Sequence, residues 1–100
     1  MCDSTPLRKD FALRDQICRA SVSSMTNIAE GFGRKTDGDF AHFLDVARAS
    51  VLEVESLMYI ALDLKHIQQD EFDEIYRLAE ETVSLIAGLT SYLRNNSRRS

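Results

Sequence analysis

Arg19-Ala-Ser-Val-Ser-Ser-Met-Thr-Asn-Ile-Ala-Glu-Gly-Phe-Gly-Arg34 reads as the second half of a helix, its stop, and a turn into the next helix. Extended back to Leu13 at about 100° per residue, the pattern separates into two sides. Leu13, Ile17, Ala20, Ser21, Ser24 and Ile28 fall on one, and Asp15, Arg19, Ser23, Asn27 and Glu30 on the other. The helix is therefore amphipathic. The small residues on its buried side, Ala20, Ser21 and Ser24, let a neighbouring helix approach closely. Asp15 to Arg19 is an acid-to-base pair one turn apart, and Glu30 to Arg34 repeats the spacing if the helix runs that far. Gly31 reads as the stop: glycine takes the left-handed conformation after a helix without steric cost, and Phe32 supplies the apolar residue that follows. Two starts fit the upstream end. One is Thr5-Pro6, since proline suits the first helical position, and the other is Asp10, before Phe11-Ala12-Leu13.

Downstream, Thr36-Asp-Gly-Asp39 has the spacing of a capping box. It predicts a second helix from about Asp37 to Lys65. Phe40, Leu44, Ala47, Val51, Val54, Met58 and Ala61 form its seam, widened by Phe43, Ser50, Leu57 and Leu64. Leu52 and Tyr59 lie off this face. A helix apolar over so much of its circumference is central or meets another subunit, which makes Leu52 and Tyr59 candidate oligomer contacts. His66-Ile-Gln-Gln-Asp70 is the next break, with Asp70 placed to cap a last helix and Glu71, Asp73 and Glu74 suited to its positive end. Phe72, Ile75, Ala79, Thr82, Val83, Ile86, Leu89, Thr90 and Leu93 make that helix's seam, and Gly88 falls on its wet side. The expectation is one all-α domain over residues 1–100, with residues 1–10 and 95–100 flexible. Three long helices joined by short connections make antiparallel neighbours.

The charge is unevenly spread. Residues 36–81 hold twelve acids and three bases, whereas residues 82–100 hold three arginines and no acid. The net charge of −4 argues against a strongly basic nucleic-acid footprint. No run reaches the ~18 apolar residues a membrane span needs, and Met1 to Asp10 lacks an apolar signal core. Cys2 and Cys18 are too few for a disulfide framework and read as reduced thiols. Together these features point to the cytoplasm.

Catalytic and metal-binding patterns are weak. Asp39-x-x-His42 and Asp63-x-x-His66 echo the acid–histidine pairs of metal-binding bundles. Both lie on the second helix, too far apart to share a site within one chain, so they read as polar pairs at helix ends. Cys18 has Arg14 and Arg19 near it but no histidine within a turn to activate it. Gly31-Phe-Gly33-Arg34 is a helix exit, not the helix entrance that phosphate-binding glycine loops form. No catalytic residue, cofactor site or metal site is expected, and the chain does not read as an enzyme.

Arg19-Ala-Ser21, Ser23, Asn27-Ile-Ala-Glu-Gly31 and Gly33-Arg34 then carry a family resemblance, continued by Phe40, Phe43-Leu44, Ala47, Ser50, Glu53 and Glu55. The chain resembles the four-helix bundle family that includes the proteins encoded by intervening sequences in bacterial 23S rRNA genes. The resemblance covers roughly residues 11–93. It implies an antiparallel four-helix bundle that assembles into a pentameric ring, with a largely uncharacterised function. One related branch looks like the accessory variability proteins of retroelements, which bind a reverse transcriptase and nucleic acid through basic surface. Family members carry an additional helix before the position of Phe11, where only ten residues stand here. The expectation is an apolar groove along the three remaining helices, covered by self-association.

The first functional expectation is a non-catalytic, homo-oligomeric bundle that acts as an assembly or partner-docking module. Arg19, Asn27, Glu30, Arg34 and Lys35 form its candidate partner or nucleic-acid surface. The alternative is a nucleic-acid-binding accessory factor associated with a reverse transcriptase or with rRNA.

Overall fold

The computed structural model describes residues 10–99, with side chains over residues 10–95. Three helices make up this region: α1, Phe11–Phe32; α2, Asp37–Asp63; and α3, Gln69–Arg99. The described residues form no strand.

Asp10 is the start of α1. Its Oδ1 accepts the Leu13 N–H at 3.2 Å, satisfying one of the donors that a helix start leaves without a partner. Its Oδ2 lies 3.2 Å from His66 Nε2, so the same carboxylate ties the head of α1 to the link between α2 and α3. His66 thus pairs with Asp10 and not with Asp63. The alternative start at Thr5-Pro6 lies outside the described residues.

Gly31 does not end α1. The helix continues through Phe32, Gly33 caps it at φ −84°, and no described glycine has a positive φ. Gly31 is buried, and a Cβ there would stand 2.8 Å from Phe43 Cβ and 2.9 Å from Phe40 Cδ1. The position needs the absence of a side chain, because the head of α2 packs directly onto its backbone. Thr36 caps α2 as its spacing predicts, accepting the Asp39 N–H at 3.1 Å.

α2 ends at Asp63, two residues before the expected Lys65. Lys65 is the reason: it takes φ 59°. The Lys65 N–H donates to Leu62 O and the His66 N–H to Ala61 O, each at 2.9 Å. This is the double bond of a Schellman stop, with lysine where glycine is usual. The cap of α3 also differs from expectation. Glu71 Oε1 accepts the Gln68 N–H at 3.1 Å and the Phe72 N–H donates to Gln68 O at 3.0 Å. Gln68 therefore stands at the cap, and Asp70 lies inside the first turn. At its other end α3 runs on to Arg99, through the stretch expected to be a flexible tail.

α1 and α3 each pack on α2 and hardly on each other. The buried side chains divide into two clusters. One joins Leu13, Ile17 and Ala20 to Val54, Leu57, Met58 and Ala61, with Ile67 and Phe72. The other joins Ala41, Leu44, Ala47 and Val51 to Ile86 and Leu93. The result is an elongated body of 51 × 21 × 14 Å. Between α1 and α3, over the middle of α2, lies an open groove of about 570 Å³. Met25, Ile28, Val51, Val54 and Leu78 give it an apolar lining, with Ser21, Ser24 and Thr82.

Candidate functional site

The α1 ridge singled out in the sequence is brought together, but in two functionally different halves. Ser23 and Asn27 face α2 and are half-buried. Asn27 Nδ2 donates to Ser23 O at 2.8 Å and to Ser23 Oγ at 3.2 Å. Ser23 Oγ lies 3.0 Å from Ser50 Oγ, and Ser50 Oγ donates to Val46 O at 3.1 Å. This chain of polar groups fastens α1 to α2, so Asn27 serves packing more than display. The sequence placed Ser23 and Asn27 on the wet side. The hydroxyl of Ser50, 27 residues from Ser23 and on the next helix, turns them inward.

Arg19, Glu30, Arg34 and Lys35 are exposed. Arg34 lies 3.4 Å from Glu30 Oε2 and its guanidinium sits 4.6 Å from the Phe43 ring centroid. Both contacts hold it against the α1–α2 corner. Arg19 and Lys35 make no ion pair among the described residues. Two shallow hollows run along this side of α1. Cys18, Arg19, Val22, Ser23, Thr26 and Asn27 line one of about 450 Å³. Thr26, Ala29, Glu30, Gly33 and Arg34 line the next, of about 580 Å³. Val22 is 55% exposed. The ridge therefore presents an apolar foothold beside one free guanidinium and a hydroxyl.

Leu52 and Tyr59 are exposed at 37% and 50%. Tyr59 is nonetheless engaged within the chain. Its ring lies 4.8 Å from Phe72 and 5.7 Å from Tyr76, so only one side of it is free. Cys18 carries a disulfide bond, which corrects the expectation of a reduced thiol. No group of three or more His, Cys, Asp or Glu among the described residues could hold a metal ion. No helix among them is long and apolar enough to cross a membrane.

A second polar cluster was not read from the sequence. Glu55 is buried at 6% exposure, and its Oε2 has no hydrogen-bond partner. Burial raises its carboxyl above the usual range, helped by the charge and hydrogen bonding of Glu80. Beside it, hydrogen bonding to Tyr59 is the chief cause that pushes the Tyr76 hydroxyl up to about 12. The available sequence signal was spacing: Glu55 sits one turn after Val51 and one turn before Tyr59, at the edge of the α2 seam. Its burial depends on Tyr76 and Glu80, which arrive from α3.

Compared with known families, residues 1–88 match the model of the 23S rRNA-intervening sequence protein. No curated protein matches, and no solved structure does.

Proposed function

The chain belongs to the family of 23S rRNA-intervening sequence proteins, and from that premise we propose that it is a non-catalytic assembly or partner-docking module. In this reading the three helices are part of an antiparallel, four-helix-type bundle that is completed by self-association. The observation that carries it is the groove between α1 and α3. Both flanking helices pack on α2, which leaves Met25, Ile28, Val51, Val54 and Leu78 lining an open channel. That is the corner a fourth helix fills in a bundle. The order of the cross-helix contacts supports antiparallel neighbours. Asp10 meets His66, Ser23 meets Ser50 and Gly31 meets Phe43, while Tyr59 meets Phe72 and Asp45 meets Arg94.

The docking half of the proposal rests on the exposed ridge of Arg19, Val22, Thr26 and Lys35. Nucleic acid is the weaker partner class. Arg14, Arg34, Arg77 and Arg94, half of the cations among the described side chains, each lie against a carboxylate, and the net charge is −4, so the surface is poorly suited to neutralising phosphates. Light scattering on the full chain at micromolar concentration tests the assembly. The expected result is an oligomer that Met25→Glu dissociates. A stable monomer refutes the proposal, and dissociation by Leu52→Glu alone moves the interface to the outer face of α2.

A further inference from the structure

Glu55 presents a problem that nothing in its surroundings solves with a cation. Its carboxyl lies between α2 and α3, and Oε2 is buried with no hydrogen-bond partner. The groups that face it are Tyr59 from its own helix and Tyr76 and Glu80 from α3. Arg77, on α3, lies 3.5 Å from Glu81. An ionised carboxylate buried without a partner is strongly disfavoured, and the charge of a second carboxylate disfavours ionisation of Glu55 further. One arrangement satisfies both side chains: a neutral carboxyl on one donating its O–H to the carboxylate of the other.

We propose that Glu55 and Glu80 hold a single proton between them, and that this proton is a clasp fastening α3 to α2. The pair carries one negative charge while clasped. On release the O–H bond breaks, the proton passes to water, and two carboxylates are left facing each other. Repulsion then opens the α2–α3 contact beside the Tyr59–Phe72–Tyr76 stack, where ring centroids lie 4.8 to 5.7 Å apart. Leu78, which lines the groove from α3, follows the loosened helix. Acid therefore closes this side of the body, and alkali frees it.

The sign follows from linkage. The folded chain holds a proton that the unfolded chain has released, so stability is highest at acid pH. It falls as pH rises from the ordinary glutamate value through the folded one. The test is thermal unfolding of the full chain from about pH 5 to about pH 9, with the Glu carboxyls followed by ¹³C NMR. The expected result is a folded-to-unfolded ratio that falls by up to about tenfold per pH unit while only the folded form is protonated. Glu80→Gln should remove most of that slope and return the Glu55 resonance toward an ordinary titration. Glu80 is exposed, so this variant spares the core. Glu74→Gln, which removes the same charge elsewhere on exposed α3 surface, should keep the slope. An equal slope in Glu80→Gln overturns the proposal, as does ordinary titration of both carboxyls in the unaltered chain. Stabilisation by Mn²⁺ at neutral pH to the extent given by acid also overturns it, assigning the pair to a metal.

Discussion

Replacing Gly31 by alanine separates two roles that glycine plays near a helix end. Gly31 lies inside α1 with ordinary backbone angles, so alanine gains about 0.5–1 kcal/mol of helix propensity there. Against this stands the contact with α2. The new methyl would lie 2.8 Å from Phe43 Cβ and 2.9 Å from Phe40 Cδ1. The Phe40 ring can swing aside, since it is only half-buried. Phe43 Cβ is fixed to its backbone, so relief there requires the corner between α1 and α2 to open. Overpacking of this kind costs about 1–3 kcal/mol. The net expectation is a loss of about 1–2 kcal/mol, or a fall in Tm of roughly 5–15 °C for a domain of this size. Gly88→Ala is the matched control, because it lies in α3 with nothing within 4 Å of the added Cβ. It should raise stability by about 0.5–1 kcal/mol. Chemical denaturation of both variants, with m-values compared, reads the difference. If Gly31→Ala stabilises as Gly88→Ala does, the close approach of α2 is not what requires glycine, and the account of this corner fails.

Other outcomes follow from the helix ends and the tyrosine pair. Lys65→Gly should stabilise by about 0.5–1 kcal/mol in denaturant melts, because glycine accepts the left-handed geometry that lysine holds at φ 59°. Asp10→Ala should cost about 1–2 kcal/mol in the same melts, removing a helix cap and the His66 contact together. Asp10→Asn should recover part of that loss, since its side-chain oxygen can still cap. Ser50→Ala should cost about 1 kcal/mol by leaving Ser23 and Asn27 without their link to α2. In an ultraviolet titration of the phenols, Tyr76 should ionise last, near about 12, and Tyr76→Phe should delete that final step. Because the folded value is raised, its contribution to stability is complete below the ordinary tyrosine range and is lost as pH climbs toward 12.

The three helices were legible because their apolar residues recur with the helical period, and because Thr36 and Asp10 carry cap chemistry in the right place. What was misread depends on groups distant in sequence. A glycine before an aromatic looks the same whether it turns the chain or admits a neighbour, and only the position of Phe40 and Phe43 distinguishes the two. Lys65 carries no local sign of left-handed geometry. Of the candidate surface residues, Arg19, Glu30, Arg34 and Lys35 are exposed, whereas Asn27 is drawn inward through Ser23 and Ser50. Glu55 carries part of the family resemblance, but its burial was not legible, because a charged residue at the edge of a seam defaults to solvent.

The division of the buried side chains into two clusters bears on how the molecule breathes. Leu13, Ile17 and Phe72 anchor one end, and Leu44, Ile86 and Leu93 the other. The groove lies over the boundary, touching Val54 of the first cluster and Val51 of the second. With the groove open, few apolar contacts oblige the two ends to melt together, so each can open as a separate cooperative unit. A helix seated in the groove would span that boundary and touch both clusters. Its arrival would merge two local equilibria into one transition, so occupancy would register as a change in cooperativity as well as in stability.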